Sequence, residues 1–222
     1  MEYKRITLFA GHYGSGKTNI AVNYALAMRK AGLPVCIADL DIVNPYFRTK
    51  DSSGRLAAAG IRLISSPFAN SNVDTPALPG EIYAITDDRS TYAVMDVGGD
   101  DRGALALGRY APAIREENDY EMLFVVNTYR PLTKTPAEAL EVMREVEAAG
   151  GIPFTAIVNN SNIGAETTPQ DVLASLPFME ELSRLSGLPV RMTAVRADLA
   201  ADLNGRIENL FPLALQKKYA WS

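Results

Sequence analysis

The chain has 222 residues, 47% of them hydrophobic and 22% charged, and a net charge of −4. That length fits one large α/β domain, residues 1–222, with enough chain to bury a substantial core, and the charge gives no global attraction to nucleic acid or an anionic membrane. Cys36 is the single cysteine, which excludes an internal disulfide framework and an iron–sulfur cluster held within one chain.

From Met1 the sequence runs straight into a strand pattern over Tyr3–Ala10, and no apolar run approaches about 18 residues. The expected location is therefore the cytoplasm. After the glycine-rich stretch that follows, Ile20, Tyr24, Ala27, Met28 and Ala31 recur at helical spacing until Gly32. Further strands are expected at Pro34–Ala38, Ile61–Ser65, Thr91–Asp96, Glu121–Asn127, Pro153–Asn159 and Pro189–Ala194. The run Met122-Leu123-Phe124-Val125-Val126 is continuously apolar, the pattern of a strand buried on both faces of a parallel sheet. Helices are expected over Pro136–Ala149, which ends at Gly150-Gly151, and over Pro169–Leu185. The tail from Ile207 to Ser222 is expected to pack on the domain as a helix or strap, its amphipathic pattern interrupted by Pro212.

This alternation predicts a three-layer, doubly wound, mostly parallel sheet of about seven strands with helices on both faces. Functional residues then belong just beyond the carboxyl ends of the strands.

Behind the first strand stands Gly11-His12-Tyr13-Gly14-Ser15-Gly16-Lys17-Thr18, a full G-x-x-x-x-G-K-[ST] match. Its glycines let backbone N–H groups curl inward around a phosphate, and the next helix adds its positive end. Lys17 is expected to reach the β- and γ-phosphates, and the Thr18 hydroxyl to coordinate Mg2+. Two later strand ends carry carboxylates: Asp39-Leu40-Asp41 ahead of Asn44, and Asp96-Val97-Gly98-Gly99-Asp100. Carboxylates there would hold magnesium through water and orient the attacking water. Their strands are expected to flank or neighbour the first. Switch segments are expected near Asn44 and near Gly98, where Gly98 and Gly99 leave the backbone free to swing.

Together these motifs resemble the MinD/ParA/CobQ–CobB (SIMIBI) class of P-loop NTPases, which includes the nitrogenase iron protein and metal-insertion ATPases. The resemblance implies that Asp39 and Asp41 handle magnesium and water, that Asp96 holds magnesium through water, and that Asp100 couples the site to a partner. It also implies a nucleotide-dependent homodimer. His12 departs from the class, occupying the position of a lysine that reaches across that dimer. Gly103 stands where the iron protein has a cluster cysteine, which removes an electron-transfer role. Asn19 replaces a second hydroxyl, and its amide is able to donate to an α-phosphate oxygen.

The loop core Gly14–Thr18 also resembles signal-recognition and nickel-insertion GTPases. Those carry an N/T-K-x-D guanine motif, whereas Val158-Asn159-Asn160-Ser161-Asn162 has neither Lys nor Asp. The resemblance thus implies Asn159 on the adenine side, ATP ahead of GTP, and closure of Thr193–Leu199 over the base. Phe47-Arg48 and Phe68–Asn72 lie in long loops where a substrate or partner would bind. Arg191 and Arg196 are read as surface charge.

The expected protein is a Mg·ATP-binding switch with slow ATPase activity acting on a protein partner, without nucleic acid, membrane or iron–sulfur cluster. Three alternatives stand beside it. One is an ATP-dependent enzyme activating a substrate carboxylate, similar to dethiobiotin synthetase or cobyrinate amidase. The others are a GTPase metal-insertion chaperone and a nucleotide sensor without turnover.

Overall fold

The structure, a computed structural model, describes residues 2–40, 49–65, 83–99 and 101–215. Asp41, Asn44, Phe47, Arg48, the stretch 68–72, Asp100 and the last seven residues lie outside them. Among the described residues the strands are β1 (Ile6–Ala10), β2 (Val35–Asp39), β3 (Arg62–Ser65), β4 (Tyr92–Asp96), β5 (Tyr120–Val126), β6 (Ala156–Asn159), β7 (Val190–Arg196) and β8 (Leu210–Leu213). The helices are α1 (Lys17–Lys30), α2 (Ser53–Ala58), α3 (Tyr83–Asp87), α4 (Asp101–Gly108), α5 (Ala111–Glu117), α6 (Pro136–Gly150), α7 (Pro169–Ala174), α8 (Leu176–Ser186) and α9 (Ala200–Leu203).

The strands form one sheet in the order β3-β2-β4-β1-β5-β6-β7-β8, and every pairing is parallel. Alternation along each strand sends side chains into two cores. Ile6, Leu8 and Ala10 of β1 meet Leu107, Ile114, Met143 and Leu182 from α4, α5, α6 and α8. Phe9 points the other way and packs with Ile20, Tyr24 and Met28 of α1 and Leu56 of α2. Helices therefore cover both faces, which is why β5 reads as continuously apolar.

Three expectations need correction. The sheet gains an eighth strand, because Leu210–Leu213 pairs with β7. Pro212 argues against a strand in the sequence, but β8 is an edge strand, where a missing N–H need not break a ladder. The helix expected over Pro169–Leu185 is two helices, α7 and α8, meeting at Ser175. Pro177 sits in the first turn of α8, where its absent N–H costs no bond within α8 but cannot extend the hydrogen-bond ladder of α7. Finally, β2 does not touch β1: β4 lies between them.

A buried polar cluster ties α1 to the sheet. Tyr24 Oη donates to Glu121 Oε1 at 2.6 Å, Thr7 Oγ1 donates to the same oxygen at 3.2 Å, and Arg191 Nε donates to Glu121 Oε2 at 3.1 Å. Burial, with the Glu121 carboxylate beside it, raises the Tyr24 hydroxyl far above its usual pKa. Arg191 is thus a structural partner of Glu121.

Candidate functional site

The carboxyl ends of the strands gather the motifs around the loop between β1 and α1. Gly11, Gly14 and Gly16 have φ of 144°, 76° and 91°, backbone that other residues rarely adopt. A Cβ on Gly11 would lie 2.5 Å from the Val125 carbonyl oxygen, and one on Gly16 would lie 2.3 Å from Asn160 Nδ2. The clash at Gly11 is with backbone of the neighbouring strand and has no side-chain escape. Gly11→Ala is therefore expected to lower stability by about 2–4 kcal/mol, whereas Gly32→Ala meets no atom within 4 Å and shows only the strain of its φ of 89°. Urea titration of both variants checks this; equal losses would locate the cost in φ alone.

Helix α1 begins in a way that makes little sense for stability. Its N-cap is Gly16 without a side-chain cap, its first turn has no acidic residue, and Lys17 puts a cation at the positive end of the helix dipole. Lys17 and Thr18 are also buried. By contrast, α6 carries a full Thr135–Glu138 capping box. An anion over the loop removes every one of these faults at α1.

Further observations fit phosphate at this place. The Ser15 hydroxyl is buried and makes no hydrogen bond among the described residues. Gly99 approaches so closely that a Cβ there would lie 2.7 Å from Tyr13 N and 2.8 Å from Lys17 Nζ. The segment after β4 thus rests directly on the loop and its lysine, with Gly98 in turn packed against Gly103. Lys17 Nζ donates to the His12 carbonyl at 3.2 Å, and the His12 ring folds back, Nδ1 lying 2.9 Å from the Tyr13 carbonyl.

The two carboxylates converge as well. Asp39 and Asp96 are register partners at the ends of β2 and β4, and both are buried. Thr49 Oγ1 donates to Asp96 Oδ2 at 3.0 Å. No group of three or more His, Cys, Asp or Glu gathers among the described residues. Asp39, Asp96 and the Thr18 hydroxyl are hard oxygen donors of the kind that would suit Mg2+ together with phosphate oxygens and water.

A cleft of about 890 Å³ extends from the loop, lined by Tyr13–Asn19, Asn127, Tyr129, Arg130, Asn160–Ala165, Ala194–Arg196, Leu213 and Leu215 among others. That volume suits a nucleotide-sized ligand. Gly11, Asp39 and Asp96 are not in its lining: Gly11 directly follows β1, Asp96 ends β4 beside it and Asp39 is the register partner of Asp96, whereas Ala194–Arg196 does line the cleft. Asn159 does not line it: its Nδ2 donates to Ser175 Oγ at 2.9 Å and its Oδ1 accepts from Ser161 N at 3.1 Å, so the side chain serves the turn after β6. Arg196 is held in a two-point pair with Asp198.

Superposition on solved structures gives FtsY from Thermotoga maritima a TM-score of 0.61 at 18% identity, covering 86% of this chain and 61% of that one. Chloroplast FtsY from Physcomitrella patens gives 0.56 at 17%, covering 87% and 59%. The signal recognition particle 54 kDa protein from Aeropyrum pernix K1, solved with GDP, gives 0.53 at 14%, covering 86% and 41%. The fold is that of a P-loop NTPase domain. The chain spans three fifths or less of the length of the last two neighbours and 61% of the first, and these identities establish the fold and nothing finer. No protein-family model and no curated protein sequence matches the chain. No helix among the described residues is long and apolar enough to cross a membrane.

Sequence patterns assigned no role to Thr49, Asn127, Arg130 or Asn160. Position was the available signal for the last three, since each lies just beyond a strand. Thr49 reaches Asp96 only through the tertiary fold.

Proposed function

We propose that this domain binds a magnesium nucleoside triphosphate, ATP in preference to GTP, hydrolyses it slowly and uses the difference between the bound states to control a protein partner. The observation that carries the reading is the loop itself: a buried, unsatisfied Ser15 hydroxyl and a buried Lys17 at an uncapped helix start, under a glycine of the β4 segment. Loop N–H groups and Lys17 would hold the β- and γ-phosphates. Thr18, Asp39 and Asp96 would hold the magnesium ion, which when bound offsets charge on the phosphate oxygens. Asp39 orients the water that attacks the terminal phosphorus, a duty the resemblance shares with Asp41. A γ-phosphate has to be accommodated where Gly99 meets Lys17, so the triphosphate and diphosphate states differ at the β4 segment.

The preference for ATP is supported by the lining of the cleft. Among the described residues it carries no Asp or Glu, the side chains that accept from the N–H groups of guanine. Calorimetry with Mg·ATP and Mg·GTP analogues is expected to show ATP at least about tenfold tighter, the worth of one lost charge-assisted hydrogen-bond pair. Tighter GTP binding would reverse the preference and align the site with the GDP-bound neighbour. Limited proteolysis checks the switch: the Mg·ATP analogue is expected to alter cleavage within residues 41–53 relative to Mg·ADP. Identical patterns at saturation would exclude it.

A further inference from the structure

Among the described residues three cations line the cleft, and two are committed. Lys17 belongs to the phosphate loop, and Arg196 is neutralised by Asp198 while also donating to the carbonyls of Gly164 and Ala165. Arg130, on the loop after β5, differs. Its Nε donates to the Gly14 carbonyl at 3.0 Å, which holds the guanidinium against the phosphate loop. It forms no ion pair among the described residues, and its terminal amines make no hydrogen bond there.

The turn that presents it is built rather than loose. Arg130 N donates to the Asn127 carbonyl at 3.1 Å, and Thr133 Oγ1, buried, donates to the same carbonyl at 2.9 Å. Asn127 Oδ1 accepts from Tyr129 N at 3.0 Å and Asn127 Nδ2 donates to the Asn162 carbonyl at 3.0 Å. Leu132, two residues on, has a φ of 64°, an uncommon and costly backbone for a leucine. Five donors in a planar fork suit an arginine to hold a carbonyl with one nitrogen and an oxyanion with the others. A clamp on Gly14 alone would need only Nε.

We propose that Arg130 is a phosphate-binding residue supplied by the chain itself: Nε holds the Gly14 carbonyl while the terminal amines donate to the nucleotide's polyphosphate beside Lys17. This rests on the nucleotide-binding reading above. It also means that the second cation at the phosphates need not come from another subunit, although His12 gives the loop no fixed charge.

The test compares wild type, Arg130→Gln and Arg130→Ala by calorimetry with Mg·ADP and a non-hydrolysable Mg·ATP analogue at two salt concentrations, with melting of each nucleotide-free protein alongside. Both variants are expected to bind at least about tenfold more weakly and with a shallower salt dependence, the loss expected for a charge-assisted contact. Their nucleotide-free melting temperatures are expected to stay within about 2 °C of wild type, as for an exposed side chain. Wild-type affinity in Arg130→Gln would overturn the proposal. So would weakened binding that comes with a lowered melting temperature and an unchanged salt dependence, since that is the signature of a loop clamp. If wild type bound neither nucleotide, the nucleotide reading and this proposal would fall together. Binding by wild type that Lys17→Ala abolishes and Arg130→Gln leaves intact would remove this proposal alone.

Discussion

Lys17→Ala is expected to abolish nucleotide binding while changing the stability of the nucleotide-free protein far less. In most of the fold a buried cation is a liability, and here it stands in the first turn of α1, where the helix dipole is also positive. Removing it relieves that repulsion, worth about 0.3–1 kcal/mol, and gives up the contacts of the ammonium, among them the hydrogen bond to the His12 carbonyl. The two act in opposite directions. With nucleotide present the balance favours the lysine, whose ammonium lies at the close approach of Gly99. Loss of a charged contact to two phosphates is expected to weaken Mg·ATP binding by about 100-fold or more. Thermal melting reads both effects at once. Ligand at 100 times its dissociation constant adds about 2.7 kcal/mol to wild type, or roughly 5–10 °C for a chain of this size. The variant should shift by no more than about 1–2 °C at the same concentration. A variant that still shifts by half the wild-type amount would remove Lys17 from the phosphate site.

At the opposite end of β1, Arg5→Ala is expected to produce the largest loss of stability outside the core. Arg5 is 5% exposed and pairs through Nε and a terminal nitrogen with the Glu117 carboxylate, itself nearly buried at the end of α5. Its other terminal nitrogen donates to the carbonyls of Ile85, Asp88 and Thr91 at 2.9, 3.3 and 3.1 Å. One guanidinium therefore joins the start of β1, the end of α5 and the turn between α3 and β4. Deleting it strands a buried carboxylate and three carbonyls, a cost of about 3–5 kcal/mol. Urea denaturation measures it. Replacing the pair, Arg5→Met with Glu117→Leu, should recover only part of the loss, because the three carbonyls still lack their donor. A cost below about 1 kcal/mol in Arg5→Ala would mean that water screens the pair as it does on a surface. Arg5 lies at the amino end of β1 and the phosphate loop at its carboxyl end, so a still-folded variant should bind nucleotide with wild-type affinity.

The sequence by itself determined most of the elements and the glycine-rich loop motif. Strand runs such as Leu123–Val126 are apolar on both faces, and the loop's spacing of Gly11, Gly16, Lys17 and Thr18 is a local chemical pattern, readable without knowing what surrounds it. The class of fold followed, since strands that alternate with helices leave few ways to cover both faces of a sheet. What the sequence left open depended on contacts between distant residues. Strand order put β4 between β2 and β1, which made Asp39 a neighbour of Asp96 and brought Gly99 against Lys17. Asn159 stood in the right place along the chain to meet a base, yet Ser175, 16 residues on, captured its amide. Arg130 carried no motif at all, and only the packing of the β5 loop against Gly14 placed it at the glycine-rich loop. Local patterns report what the backbone does over a few residues. Which side chains share a site is fixed by strand order and by competition for hydrogen bonds among groups far apart in the chain, and neither has a local signature.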